Sequence, residues 1–469
     1  MLIKQPTLKH LLLSLFLLAG LTGLYGQATT YTRKEIVEDI AYIQNKLVKY
    51  HPNLYTYADP TAVAAFFADL TASIPDTVSA NMAYRLISAI SLIVKDGHTY
   101  ILASQKHMEQ FYSSQSVFPF QVFQQEKALY LARNFSDNDG VPDGVKVKSI
   151  NGETAADLIS LIQNSLSRDG NNTNYPKWVF NSFFPAYYGF LYGFPEVFEI
   201  AFEDDRGNIQ LVQIAGLPNS RISINRKRKY PSYADQLGGR DQGLQLHIDS
   251  SSNVATLRIK SFDRALLKKE YQQAFVPTIK QYFRTIQEKG ISNLIVDLRG
   301  NQGGELTNGK FLLKHLMTEP FQMVEGYSKV NQSNIQSPSS RNKTVNGPTM
   351  GRFRPLKHHF KGQVFTFIDG GSFSCSAIVA NVLKKQQRGI LMGEETGGNA
   401  FTLAGGPNKH LSCPNTKIQV TLPTLQYLLQ SSTGVEKTGV LPDVNLNMRI
   451  TDIINGIDPL QEYVLKTIH

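Results

Sequence analysis

The order of secondary-structure signals predicts an α/β (α+β multidomain) chain: a helical N-terminal domain, a β-rich middle domain and an α/β core with a mainly parallel sheet. Three observations carry this. Over residues 31–105 the apolar residues keep helical spacing, as in Ile36, Ile40, Ile43 and Leu47. Residues 116–217 break into short apolar stretches separated by turn signals. From about residue 243 strand and helix patterns alternate, the signature of strands joined by helical crossovers.

At the N-terminus, Lys4, Lys9 and His10 precede the apolar run 11–18, and Gly20, Gly23 and Gly26 follow it. A basic start, an apolar centre and a small-residue exit predict a secretory signal peptide over residues 1–26, cut after Gly26. The run is shorter than the roughly 20 residues a spanning helix needs. The mature chain is therefore expected to be exported, periplasmic or extracellular, with no integral membrane span.

The helical domain is expected over residues 27–110, with helices near 36–47, 62–74 and 80–94 and with Asp76 and Ser79 as caps between them. It ends at Lys95-Asp96-Gly97-His98-Thr99. The middle domain, residues 115–217, has strand signals at 117–123 and 128–132. A turn, a strand, the Asn151-Gly152 turn and a helix over 154–166 then form a β-turn-α unit. The core, residues 243–469, reads as strands at 254–259, 294–297, 364–368 and 390–392, with helices at 265–288, 310–317 and 376–385. A polar stretch at 326–361 lacks periodicity and is expected to be a long loop, of the kind that serves as a lid.

Composition excludes several classes. The formal charge of +10 falls to +8 without Lys4 and Lys9, and the basic residues are scattered. That describes a solvated surface, so no nucleic-acid partner is expected. Two cysteines, Cys375 and Cys413, cannot make a disulfide scaffold, although a single bridge between them stays open. His358-His359 has no carboxylate or Cys at ligand spacing, so no metal is expected. No dinucleotide fingerprint is present, and no cofactor is expected.

Two passages carry chemistry. In residues 365–380 a buried strand enters Asp369-Gly370-Gly371-Ser372-Phe373-Ser374, and a helix follows. A sharp turn that presents a serine at a helix N-terminus is the mechanical logic of a nucleophile elbow. The same serines would also serve as helix caps. In residues 294–304 a second strand ends at Arg299-Gly300-Asn301-Gln302-Gly303-Gly304, at the sheet edge where open α/β sheets bind ligands. No Lys-Ser/Thr pair follows, which excludes a P-loop.

These passages, with Gly393-Glu394-Glu395-Thr396-Gly397-Gly398 and Gly439-Val440-Leu441-Pro442-Asp443, resemble in order the tail-specific (C-terminal-processing) serine peptidases. The resemblance implies a crotonase-like (ClpP/crotonase) core and a PDZ-like middle domain that captures an extended peptide by strand addition. It implies Ser374 as nucleophile, with the Cys375 amide and one of Gly303 or Gly304 as oxyanion hole. Thr396, Gly397 and Gly398 would line the substrate channel, although turn duty explains the glycines equally well. One departure stands out: the position of the family's general-base Lys is Asn399, and the spacing does not support Lys409 as a replacement. The tricorn-core branch uses His and Glu instead, and Asp96-Gly97-His98-Thr99 resembles its histidine motif. On that pattern His98 is the general base and Glu436, three residues before Gly439, is the orienting carboxylate. His51, Asp297 and Arg299 read as structural. The implied activity is a serine-type endopeptidase acting on peptide or protein substrates through an acyl-enzyme. The alternatives are a non-catalytic binder of peptides or apolar ligands, as in interphotoreceptor retinoid-binding-protein repeats, which share the fold, or an esterase.

Overall fold

The computed structural model describes residues 29–204, 206–231, 242–329, 349–429 and 438–468. The expected signal peptide, Glu436 and most of the polar loop (residues 330–348) lie outside the described residues.

The core is a six-stranded sheet in the order Leu244–Asp249, Val254–Ile259, Asn293–Asp297, Gln363–Ile368, Ile390–Gly393 and Val444–Asn445. The first pair is antiparallel and every later pair is parallel. Its central strands read as nearly continuous apolar runs because both faces are covered. Val364 and Ile368 face the helices Phe275–Glu288, Leu306–Leu316 and Cys375–Lys385, while Phe365 and Phe367 face Leu460 and Val464 of the helix Pro459–Ile468. The helix expected over 265–288 is broken. Gln272 adopts φ 54°, and separate helices Arg264–Tyr271 and Phe275–Glu288 lie on either side of it. A left-handed residue cannot continue a right-handed helix.

A second, antiparallel sheet was not legible in the sequence. Strands Val324–Lys329, Gln419–Leu429 and Thr402–Ser412 lie side by side in that order. The short strand Tyr100–Leu102 extends the same sheet, with Tyr100 opposite Thr421, Ile101 opposite Val420 and Leu102 opposite Gln419. The N-terminal helices are thereby tied by backbone hydrogen bonds to the core.

Of the two caps the sequence suggests, Ser79 caps a helix, whereas Asp76 lies between helices and takes the Arg33 amide on its backbone carbonyl. Thr32 and Glu35 form a capping box ahead of Arg33–Tyr50, and Ser79 caps Ala80–Ser88 through the Met82 amide. The cap of Pro60–Ala72 is Asp59, a position the sequence reading passed over. The middle unit is an antiparallel sheet ordered Phe120–Gln125, Ala128–Asn134, Val145–Ile150, Val197–Glu203 and Ile209–Ala215. Its turn at Asn151 and Gly152 has φ of 51° and 82°, and Thr154 caps the helix Ala155–Asn164. A helix absent from the sequence reading, Asn174–Tyr192, follows and packs on Phe120–Gln125. It carries Pro185 and a non-helical residue, Phe183, which explains why no clean helical period was visible. It also covers that edge of the sheet, where the Gln124 amide donates to Asn181 Oδ1 at 2.8 Å. An added strand would find its open edge on Ile209–Ala215, where Ile209 and Leu211 are exposed. The N-terminal helices and the middle unit share one apolar cluster that joins Leu86, Phe118, Phe184 and Ile200. Among the described residues, no helix is long and apolar enough to cross a membrane.

Candidate active site

Ser374 stands between strand Gln363–Ile368 and helix Cys375–Lys385, at the N-cap position, with φ 55° and ψ −124°. For a residue with a side chain this is a strained backbone, which persists only where its surroundings enforce it. They do so here from two sides. Phe373 belongs to the apolar cluster of the N-terminal and middle units, and Cys375 belongs to that of the core. Ser374 sits at the seam between them and is half-buried, whereas Ser372, Phe373, Cys375 and Ser376 are all buried. Its side chain makes no cap hydrogen bond, so capping does not explain it. Ser372 is the structural serine, with Oγ donating to Leu298 O at 2.8 Å.

The two glycines next to this turn differ. A Cβ at Gly303 would lie 2.7 Å from Ser374 Cβ and 2.8 Å from the Cys375 amide nitrogen, so only glycine permits the approach. The Gly303 amide, however, is committed to Asn301 Oδ1 at 2.9 Å. The amides of Gly304 and Cys375 have no acceptor among the described residues. Cys375 and Cys413 are both free and buried, so the bridge left open by the sequence is not made.

Thr396, Gly397 and Gly398 are buried behind the turn and brace it, rather than forming an open wall. Thr396 Oγ1 donates to Gly398 O and accepts the Val440 amide, and the Gly397 amide donates to Ser372 O at 3.1 Å. A Cβ at Gly398 would stand 3.1 Å from the Ser374 nitrogen. Asn399, at the place of the family lysine, is 1 % exposed, and its Oδ1 accepts the amides of Phe401 and Thr402. Lys409 lies elsewhere, over the Tyr50 ring.

His98 arrives from the other side of the seam. Lys95, at φ 51°, ends the helix Ser91–Val94, and Asp96-Gly97-His98-Thr99 leads directly into strand Tyr100–Leu102. The strand pairing described above carries this loop to the core. The imidazole stacks on Phe373 with centroids 4.6 Å apart; Phe373 stacks on Tyr175 at 4.4 Å, and Tyr175 on Trp178 at 6.3 Å. His98 and the residue before the serine are thus held in one aromatic column. Burial pushes the His98 imidazole down to about 4, against the pull of Asp96, so it is neutral at physiological pH.

Two carboxylates that the sequence reading did not single out accompany His98. Polar atoms of Asp96, His98 and Asp169 all lie within 4.8 Å of one another. Asp96 accepts the His98 amide at 3.1 Å, Thr99 Oγ1 at 2.7 Å and His51 Nε2 at 2.7 Å. Because the Asn53 amide donates to His51 Nδ1, the His51 proton sits on Nε2 and points at Asp96. Burial works to raise the Asp96 carboxyl, but the His51 hydrogen bond and the neighbouring imidazoles outweigh it and hold it below the usual range. Asp169 accepts the Gly97 amide at 2.7 Å and the Asn399 amide at 3.1 Å, and burial followed by repulsion from Asp96 pushes it up to about 7. All four oxygens of the pair are engaged by protein donors, which describes a hydrogen-bonded lattice rather than an open ligand set. The signal for Asp169 in the sequence was only a polar turn, Asp169-Gly170-Asn171-Asn172. Arg299 pairs with Asp297 at 2.8 Å and Asp458 at 2.7 Å, and so braces the neighbouring turn as expected.

Residues 253–446 match the family described as Peptidase family S41. The chain is similar to the carboxy-terminal processing protease CtpB of Bacillus subtilis (strain 168), 27 % identical over 161 residues, or 34 % of this chain and 29 % of that protein. It is also similar to the tail-specific protease of Haemophilus influenzae, 24 % identical over 220 residues, or 45 % of this chain and 27 % of that protein. The matches thus span less than a third of the length of either curated relative. Among solved structures, mature CPAF superposes with a TM-score of 0.63 at 14 % identity, over 93 % of this chain and 96 % of that one, which is a likeness of fold.

Proposed function

We infer, from the S41 peptidase match of the core and the geometry around Ser374, that this chain is a serine-type peptidase acting through an acyl-enzyme. The observation that carries the reading is Ser374 itself: strained, half-exposed, free of any cap bond, packed against Gly303 and followed by a Cys375 amide that, like the Gly304 amide, has no acceptor among the described residues. Ser374 Oγ attacks the scissile carbonyl carbon while its proton passes to the neutral His98 imidazole. The oxyanion that forms is received by the amides of Cys375 and Gly304, at the N-terminus of the helix. Collapse breaks the C–N bond as His98 returns the proton to the departing amine. Water then attacks the acyl-enzyme by the same route and releases the acid and the free serine. Glu436 is the carboxylate that the tricorn-like motif assigns to the imidazolium. Substrates are peptides or proteins, and the mature protein works outside the cytoplasm after loss of residues 1–26.

The test is fluorophosphonate labelling of the mature protein, with peptide hydrolysis measured alongside. Ser374→Ala and His98→Ala are each expected to lose labelling and to cut hydrolysis by about 10⁴-fold or more, and Glu436→Gln to lower both. Wild type that fails to label from mildly acidic to basic pH would leave a binding protein on this fold. Labelling with ester but no amide turnover would make it an esterase.

A further inference from the structure

We propose that Asp169 is a positioning residue for this site: its carboxylate is a clasp that sets the histidine loop against the nucleophile turn. The proposal rests on the peptidase reading above but concerns a residue that reading does not use. Asp169 lies on the link between helices Ala155–Asn164 and Asn174–Tyr192, in the middle unit. Its two oxygens take amides from two other parts of the chain. One comes from Gly97, next to His98, at 2.7 Å; the other comes from Asn399, next to Gly398, at 3.1 Å.

The neighbouring residues repeat both ties. The Gly170 amide donates to Lys95 O at 2.8 Å, on the histidine loop. Asn172 Nδ2 donates to Thr396 O at 2.9 Å and to Glu395 Oε1 at 3.1 Å, on the segment behind the serine. The Gly397 amide completes the path to the nucleophile turn through Ser372 O. Three segments distant in sequence (95–98, 169–172 and 395–399) are thus locked together around one carboxylate. Gly97 leaves no slack, because a Cβ there would lie 2.6 Å from the Phe373 ring and 2.8 Å from Asp169 Oδ1.

The ionised form accepts strongly at both oxygens, whereas protonation puts a hydrogen on one of them and weakens the bond it takes from an amide. The groups facing it are Asp96 and His98 on the histidine loop, Tyr57 after the first helix, Tyr100 on the added strand and Tyr175 on the long helix, with His51 one step behind Asp96. Lys95, on the same loop, turns its ammonium to Asn171 Oδ1. The clasp carboxyl is raised to about 7, so the clasp is progressively weakened as pH falls through that value. His98 itself protonates only near 4, and the two steps are separable.

The experiment follows the fluorophosphonate labelling rate of Ser374, and kcat and KM for one peptide, across pH for wild type, Asp169→Asn and Asn172→Ala. Wild type is expected to gain activity through a step near pH 7. In Asp169→Asn that step is expected to vanish, with kcat at basic pH lower by about tenfold to 10²-fold, as for a small misplacement of reacting groups, and KM little changed. Asn172→Ala is expected to lower kcat while retaining the step. Wild type that does not label at all would overturn the peptidase reading. Wild type that labels with no step near 7 would overturn the clasp alone, even if Asp169→Asn does not fold. So would a folded Asp169→Asn that keeps the wild-type rate and profile, or one that loses activity uniformly at every pH with KM raised in parallel.

Discussion

At the scale of single residues, the geometry around Ser374 leaves almost no room for change. Gly303, at φ 97°, holds its Cα against Ser374 Cβ and the Cys375 amide. Gly303→Ala would place a methyl against Ser374 Cβ and the Cys375 amide, where the proposed oxyanion would form, and would also strain the backbone. We expect labelling of Ser374 to fall to background while unfolding in urea shows a loss of only about 1–3 kcal/mol; a variant that labels normally would place the oxyanion site elsewhere. The turn around Ser374 was largely legible in the sequence, because glycines, a serine and a flanking apolar strand are local signals. Asn399 was legible only through the family resemblance, as a departure at the position of the family's lysine. Asp169 was not, because its role depends on two amides it meets only in the folded chain. Nor did the sequence separate Gly303 from Gly304; that distinction depends on Asn301 Oδ1 occupying one amide and not the other.

At the scale of elements, the decisive contact is the three-residue strand Tyr100–Leu102. Short strands carry weak patterns, and this one has no turn signal to pair it with its neighbour; its partner lies at Gln419–Leu429. The longer parallel core strands, by contrast, are largely apolar and legible at 254–259, 294–297, 364–368 and 390–392; the two-residue edge strand Val444–Asn445 is too short and too polar to show. The helix Asn174–Tyr192 escaped because prolines and a kink blur its period, yet it supplies Tyr175 and Trp178 to the column on Phe373. Ile101, 4 % exposed and opposite Val420, anchors the added strand. Truncation to Ala is expected to cost about 2–5 kcal/mol by denaturant unfolding. Peptide hydrolysis should drop as well, since the strand begins two residues after His98. A loss of stability with full activity would show that the strand does not hold the histidine.

At the scale of the whole molecule, buried titratable groups shape the dependence of stability on pH. His98 and His315 are held at about 4 in the fold against 6.5 in the open chain, chiefly by burial. Between those values the unfolded chain binds more protons, so these two groups make stability rise with pH. Asp169 and Asp369 are raised to about 7 and about 6 from 3.8, again chiefly by burial. Between those values the folded chain binds more protons, so they make stability fall as pH rises. The two sets oppose one another over mildly acidic pH. Replacing Asp169 by Asn removes one opposing member. The denaturation free energy of that variant should therefore climb more steeply with pH than wild type below about 7, by at most about 1.4 kcal/mol per pH unit. Parallel curves for the two proteins would mean that Asp169 is not buried as described.

The pairing of Tyr100 with Thr421 has a kinetic side as well. Contacts between residues so far apart close the largest loops in a chain, and loop closure of that kind comes late and slowly. On the peptidase reading proposed above, His98 would reach the seam only once that loop is shut, and hydrolytic competence would then wait for this closure. A chain with its core formed but this strand unpaired would hold Ser374 without the base that reading assigns to it.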